Sequence, residues 1–187
     1  MAILAAGLLV FVGVHMLPTM PVTRARVVSR LGGNGYKLLF TAVSLAGFAL
    51  MVFGYIRAPF VEVWSPPFWL RHLTIALMLP ALVFLAAYQM GGRLAARLKH
   101  PFLAAVKTWA TAHLLANGDL ASILLFGALL AYTSYDRISV KRRGLPKAKQ
   151  LPAWGWRDAA ALGLGVAYFV AIVVFLHEWV IGVPVLL

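Results

Sequence analysis

Residues 100–119 read HPFLAAVKTWATAHLLANGD, and how this stretch joins the apolar run after it decides the fold. Read straight through to residue 133, it makes one helix too long for a modest tilt to absorb. Broken at Asn117-Gly118-Asp119, it makes two short arms, and Asn-Gly is a strong local turn signal. Charge arbitrates. If 101–133 turns back on itself, every lysine and arginine except Arg57 and Arg71 falls on one side of the membrane. If it runs through, the basic group from Arg137 to Arg157 changes sides. The positive-inside rule therefore favours a hairpin over one long kinked helix.

Composition sets the same frame. The chain has 187 residues, of which 63% are hydrophobic and 12% charged, against about 25% charged in ordinary soluble domains. Mean hydropathy is +0.89. Repeated apolar runs predict an all-α polytopic transmembrane bundle of about six helices, spanning 1–187 as a single domain. The spans fall at 2–17, 36–56, 71–89, 101–116, 120–133 and 158–177, with a basic cytoplasmic loop at 134–157. There is no cysteine, so disulfides, thiolate catalysis and cysteine-ligated metals are excluded. The net charge of +12 sits in short loops beside apolar runs, which points to anionic lipid headgroups and not to nucleic acid. The first 21 residues lack the basic start and small-x-small site of a signal peptide and read as a retained first helix. Both termini are expected on the non-cytoplasmic side.

Local signals fit these spans. Pro18 and Pro21 should end or bend the first helix soon after His15. Gly32, Gly33, Asn34 and Gly35 break the chain before the second helix. Pro66-Pro67 and Pro101 stand where a helix can start without losing a needed bond. Gly163 and Gly165 offer small surfaces for close packing. Trp154 and Trp156 suit the headgroup zone ahead of the last span.

Polar groups inside the spans carry the functional signal, because an unpartnered histidine facing lipid is costly. His100 and His177 stand at interfaces and read as capping or headgroup-facing residues. His72 has Glu62 available as a carboxylate partner. His15 and His113 lie among apolar residues, and no acid lies within a span interior to pair with them. Missing acids argue against a carboxylate proton relay and remove the ligands of a di-iron bundle. Two neutral imidazoles from different helices suit the axial positions of a haem iron. Zinc would want a further ligand, with His72 the one to join. Trp109, one turn before His113, can stack on a flat ligand or simply pack. Asn117 stands one turn after His113. Arg24, Arg26 and Lys107 are available to haem propionates. No Walker loop, dinucleotide glycine pattern or nucleophile elbow is present, and Ser44 reads as a packing hydroxyl.

His15, Arg24–Arg26, RLGGNGYKLLFTAVSLAG at 30–47, WLRH at 69–72, HPFLAAVKTWATAHLLANGDLAS at 100–122 and LFGALLAYTSYDR at 125–137 carry a resemblance. The chain resembles the NnrU family of bacterial membrane proteins, which is related to the 15-cis-zeta-carotene isomerase of plastids and cyanobacteria. The resemblance implies a bacterial inner membrane location and a haem b centre ligated at the positions of His15 and His113. It also implies either redox-type cis-trans isomerisation of an apolar polyene such as a carotenoid, or a role in nitric oxide and denitrification metabolism. The isomerase's proposed alternative ligand, a cysteine three residues before the second histidine, is Ala110 here, so that ligand switch is impossible in this chain.

A second reading is a cofactor-free accessory or assembly partner of denitrification complexes, or a homo-oligomer, with Ala42, Ala46 and Gly47 suited to lateral packing. A small transporter is the least favoured, since neither a polar pathway nor symmetric halves is visible in the sequence.

Overall fold

The computed structural model describes residues 1–144 and 151–185. Seven helices account for its regular structure among the described residues: α1 (Ala2–Met16), α2 (Pro21–Ile56), α3 (Leu70–Met90), α4 (Gly92–Leu98), α5 (Pro101–Ala116), α6 (Leu120–Arg142) and α7 (Trp156–Ile181). Within α7, residues Ile172–Leu176 form a π turn. The protein is an all-α transmembrane helical bundle with one helix more than expected, the short α4 between two glycines and Pro101. Among the described residues four helical stretches are long and apolar enough to cross a membrane: Ala2–Thr19, Pro21–Ile56, Leu70–Met90 and Trp156–Ile181.

The punctuation residues act where the sequence placed them, with shifted boundaries. Pro18 sits in a tight turn, Leu17–Thr19, after α1, and Pro21 opens α2. Gly32 breaks α2 internally at φ +71 and ψ 166, a conformation that only glycine adopts without strain. The helix resumes at once, so α2 starts 15 residues earlier than the expected span. The stretch 101–133 is not one helix: α5 ends at Ala116 and α6 begins at Leu120. The expected loop from 134 instead starts as the last turns of α6, which run to Arg142; residues 145–150 of that loop lie outside the described residues.

The chain forms two compact units, 1–66 with 117–145 and 67–116 with 146–187. The first is built on α1, α2 and α6. In lipid no hydrophobic effect drives helices together, so close packing must do so. The α1–α2 contact uses glycines on both sides: a Cβ on Gly7 would strike the Met51 backbone, one on Gly47 would lie 2.7 Å from Phe11 N, and one on Gly54 would strike Leu4. Gly47 is thus spent on intramolecular packing, while Ala42 and Ala46 remain exposed. Tyr55 hydroxyl meets Ser122 Oγ of α6 at 2.9 Å. The turn before α6 is pinned by Val63 N and Trp64 N, which both donate to Gly118 O (2.9 and 3.1 Å), while Leu120 N donates to Val61 O at 2.8 Å. Asp119 caps α6 by accepting from Ser122 N at 2.9 Å.

The second unit packs α3 against α5 and α7. Ala86, Ala87 and Ala161 make a core of small side chains, and Gly165 lies against Val83, whose Cα a Cβ there would approach to 2.6 Å. Gly163 does not pack: nothing lies within 4 Å of its missing Cβ. Asp158, only 2% exposed, clasps two helix starts. It accepts from Leu94 N of α4 at 2.8 Å and from Gly155 N ahead of α7 at 3.1 Å. A carboxylate at two helix N-termini satisfies orphan amides and opposes the positive end of each dipole. Gly92, at φ +88, makes room, since a Cβ there would lie 2.8 Å from Asp158 Oδ1. Asp158→Ala is expected to lower the melting midpoint in detergent by several degrees. Asp158→Asn, which keeps one acceptor oxygen, should lower it less; circular dichroism melts check the order.

Candidate functional site

His15 and His113 are built alike. Each lies in the last turn of its helix, α1 or α5, and each is half-buried. His15 Nδ1 donates to Phe11 O at 2.7 Å, and His113 Nδ1 donates to Trp109 O at 2.9 Å. In both, the residue four before the histidine is aromatic and its ring packs on the imidazole: Phe11 at 4.2 Å between centroids and Trp109 at 5.0 Å. One turn of helix brings i and i+4 onto one face, so the pattern aromatic-x3-His is enough to build this contact. A proton held on Nδ1 by a carbonyl puts the neutral ring's lone pair on Nε2.

Within the first unit, rings enclose His15. Phe40 approaches it edge-on at 5.1 Å and Tyr132 at 5.8 Å. Tyr132 also donates its hydroxyl to His15 O at 3.1 Å, fixing the end of α1 to α6. From Phe40 the aromatic contact continues to Tyr36 at 6.1 Å, over which the Arg24 guanidinium lies at 5.3 Å. Arg24, Lys37, Tyr36 and Phe40 line an open cleft of about 310 Å³. One turn on from Phe40, Ser44 Oγ is buried, as a packing hydroxyl would be, and has no hydrogen-bond partner among the described residues.

Within the second unit, His113 lines a small apolar cavity of about 60 Å³ together with His177, Thr74, Met78 and Phe169. Thr74 donates to Ala112 O at 3.0 Å, joining α3 to the turn of α5 that carries His113. His177, expected at an interface as a cap, also lines this cavity, and its Nδ1 meets Val183 O at 2.6 Å.

The remaining candidates stand as follows. Trp109 packs on His113. Asn117 lies in the turn beyond α5 and not on its last turn. Lys107 is half-buried on α5. His72 is exposed and packs edge-on against Phe68 at 5.6 Å, while Glu62 accepts from Ser65 at 2.7 Å. His100 stands at the start of α5, its carbonyl accepting from Ala104 N. Among the described residues no three His, Asp or Glu side chains gather as a metal-binding group. Sequence reasoning passed over Phe11, Phe40 and Tyr132. Phe11 was legible as the aromatic four before His15; the others come from distant segments.

The NnrU protein family model matches residues 3–185. The chain belongs to the NnrU family. No curated protein and no solved structure matches it. The haem that the family resemblance implies can be weighed against this NnrU chain's own side chains. Each unit by itself holds side chains of a suitable type: His15 with Arg24 and Lys37 as cations for carboxylates in the first, and His113 in the second. The cavity beside His113 is far below the roughly 300–1,000 Å³ of ordinary ligand pockets and does not itself contain a macrocycle.

Proposed function

We propose that this NnrU-family membrane protein binds haem b through Nε2 of His15 and of His113, and serves redox-dependent chemistry on an apolar polyene or in nitric oxide metabolism. The observation that carries this reading is the shared aromatic-x3-His construction, in which a main-chain carbonyl orients each imidazole and fixes its tautomer. Metal-ligating histidines ordinarily have such a partner on the second nitrogen, which raises ligand basicity and holds the ring plane. Bound haem supplies a redox-active iron. The chain's own part is to hold the two rings, to surround His15 with Phe11, Phe40 and Tyr132 so that water is kept from it, and to offer Arg24 and Lys37 to anionic groups at the cleft. Trp109 packs on His113 as a supporting contact, and Asn117 is retained as a candidate haem-binding residue.

The testing experiment is a visible spectrum of protein purified in mild detergent. A Soret band that shifts on dithionite reduction supports the reading, and a protein that stays colourless after haem addition sinks it. Mixing the reduced protein with a 15-cis carotenoid and following the cis-to-trans absorbance change tests the isomerase form separately. The small volume beside His113 favours one further reading, a cofactor-free accessory of denitrification complexes in the inner membrane, and the colourless outcome would select it.

A further inference from the structure

The second unit holds a pair of imidazoles that the haem reading does not use together. His113 of α5 and His177 of α7 line one apolar cavity. Their Nδ1 atoms both meet main-chain carbonyls, Trp109 O at 2.9 Å and Val183 O at 2.6 Å. The same tautomer follows for each, with the lone pair on Nε2. The π turn explains how His177 comes to be there. His177 N donates to Ile172 O, five residues back, so one extra residue is wound into that turn. Residues beyond it are rotated by about 100° from a regular helix. Ile172, Val173 and His177 then share the cavity wall, and π turns recur at functional sites.

We propose that this cavity is a cuprous-ion site with His113 and His177 as its two ligands. This goes beyond the haem reading and concerns the haem-free protein. The choice of ion follows from what surrounds the nitrogens. The lining has no carboxylate or thiolate among the described residues. Calcium and magnesium require oxygen ligands, and zinc takes four ligands, few of which are on offer. Imidazole suits copper, and monovalent copper is satisfied by two nitrogen ligands. Charge points the same way, because the cost of placing an ion in apolar surroundings rises with the square of its charge. Two neutral imidazoles in an apolar wall therefore tolerate a monovalent ion far better than a divalent one. A volume of about 60 Å³ admits a bare ion and a water-sized neighbour, and nothing much larger.

The test is anaerobic titration of the full haem-free chain in detergent with cuprous ion, in competition with the chromophoric chelator bicinchoninate. One ion should bind per chain, and His113→Ala and His177→Ala should each weaken it by at least about tenfold. His72→Ala and His100→Ala should leave it unchanged. His177→Gln, of similar length and polarity, should weaken binding as His177→Ala does while keeping the wild-type melting profile, which separates ligand loss from unfolding. X-ray absorption should show two nitrogen neighbours. Absence of competitive binding, equal affinity in the His177 variants, or zinc binding as tightly at the same residues would overturn the proposal. Its failure is separate from that of the haem reading: His177→Ala should leave a haem spectrum standing, and a colourless protein can still bind cuprous ion.

Discussion

His15→Ala and His113→Ala will each abolish the Soret band of haem-reconstituted protein, or weaken haem binding by on the order of 100-fold. The size of the effect follows from what each ring supplies. Alanine removes the Nε2 donor and leaves the carbonyl of Phe11 or Trp109 without the side-chain proton it accepts. Both variants should keep their helical circular dichroism, since each ring sits in a terminal turn and not among the buried residues of its unit. His72→Ala and His100→Ala serve as controls with unchanged spectra. Phe11→Leu and Trp109→Leu should retain haem with a shifted band, because they remove ring packing on the imidazole and spare the main-chain acceptor. Absorption spectra of the oxidised and reduced forms check the whole series. A band that survives in His15→Ala, or vanishes in His72→Ala, would show that the ligands are other residues.

A large loss of stability from a single added methyl is expected at Gly54. Gly54→Ala places a Cβ against the main chain of Leu4, a residue with no exposed surface. Backbone cannot step aside as a flexible side chain does, so α1 and α2 must separate along the contact that holds the first unit. Overpacking of this kind costs about 1–3 kcal/mol, occasionally more. Gly163→Ala is the matched opposite. Its Cβ would meet nothing within 4 Å, and the gain in helix propensity over glycine is worth up to about 1 kcal/mol. Thermal melts in one detergent should therefore move down for Gly54→Ala and stay level or rise for Gly163→Ala. Equal shifts in the two variants would mean that the α1–α2 contact does not hold the first unit.

Much of the fold was legible residue by residue. The proline pair around the end of α1, the glycine at the α2 kink and the Asn-Gly break after α5 act through local backbone geometry, which a sequence states directly. Boundaries were less legible. Residues 21–35 and 134–142 are polar enough to look like loops, yet they continue α2 and α6, because helical hydrogen bonds are local and do not require an apolar face at every turn. Two glycines in one helix, Gly163 and Gly165, looked equivalent; only Val83 on α3 distinguishes them. Asp158 looked like the first residue of a span, and the amides of α4 make it a clasp.

The candidate site divides along the same line. His15 and His113 stood out as imidazoles among apolar residues without acidic neighbours in the chain, and the aromatic residue four positions before each was already written in the sequence. The sequence by itself determined the membrane class, the all-helical architecture, the absence of thiol chemistry and these two i, i+4 pairs, since all depend on composition or on neighbours within one turn. Only tertiary structure decided that Phe40 and Tyr132 enclose His15, that the cleft beside Arg24 includes Lys37, and that a π turn brings His177 to the cavity of His113. Those contacts join residues far apart in the chain. Which faces of two helices meet is fixed by steric fit summed over their whole length, and no local stretch contains that sum.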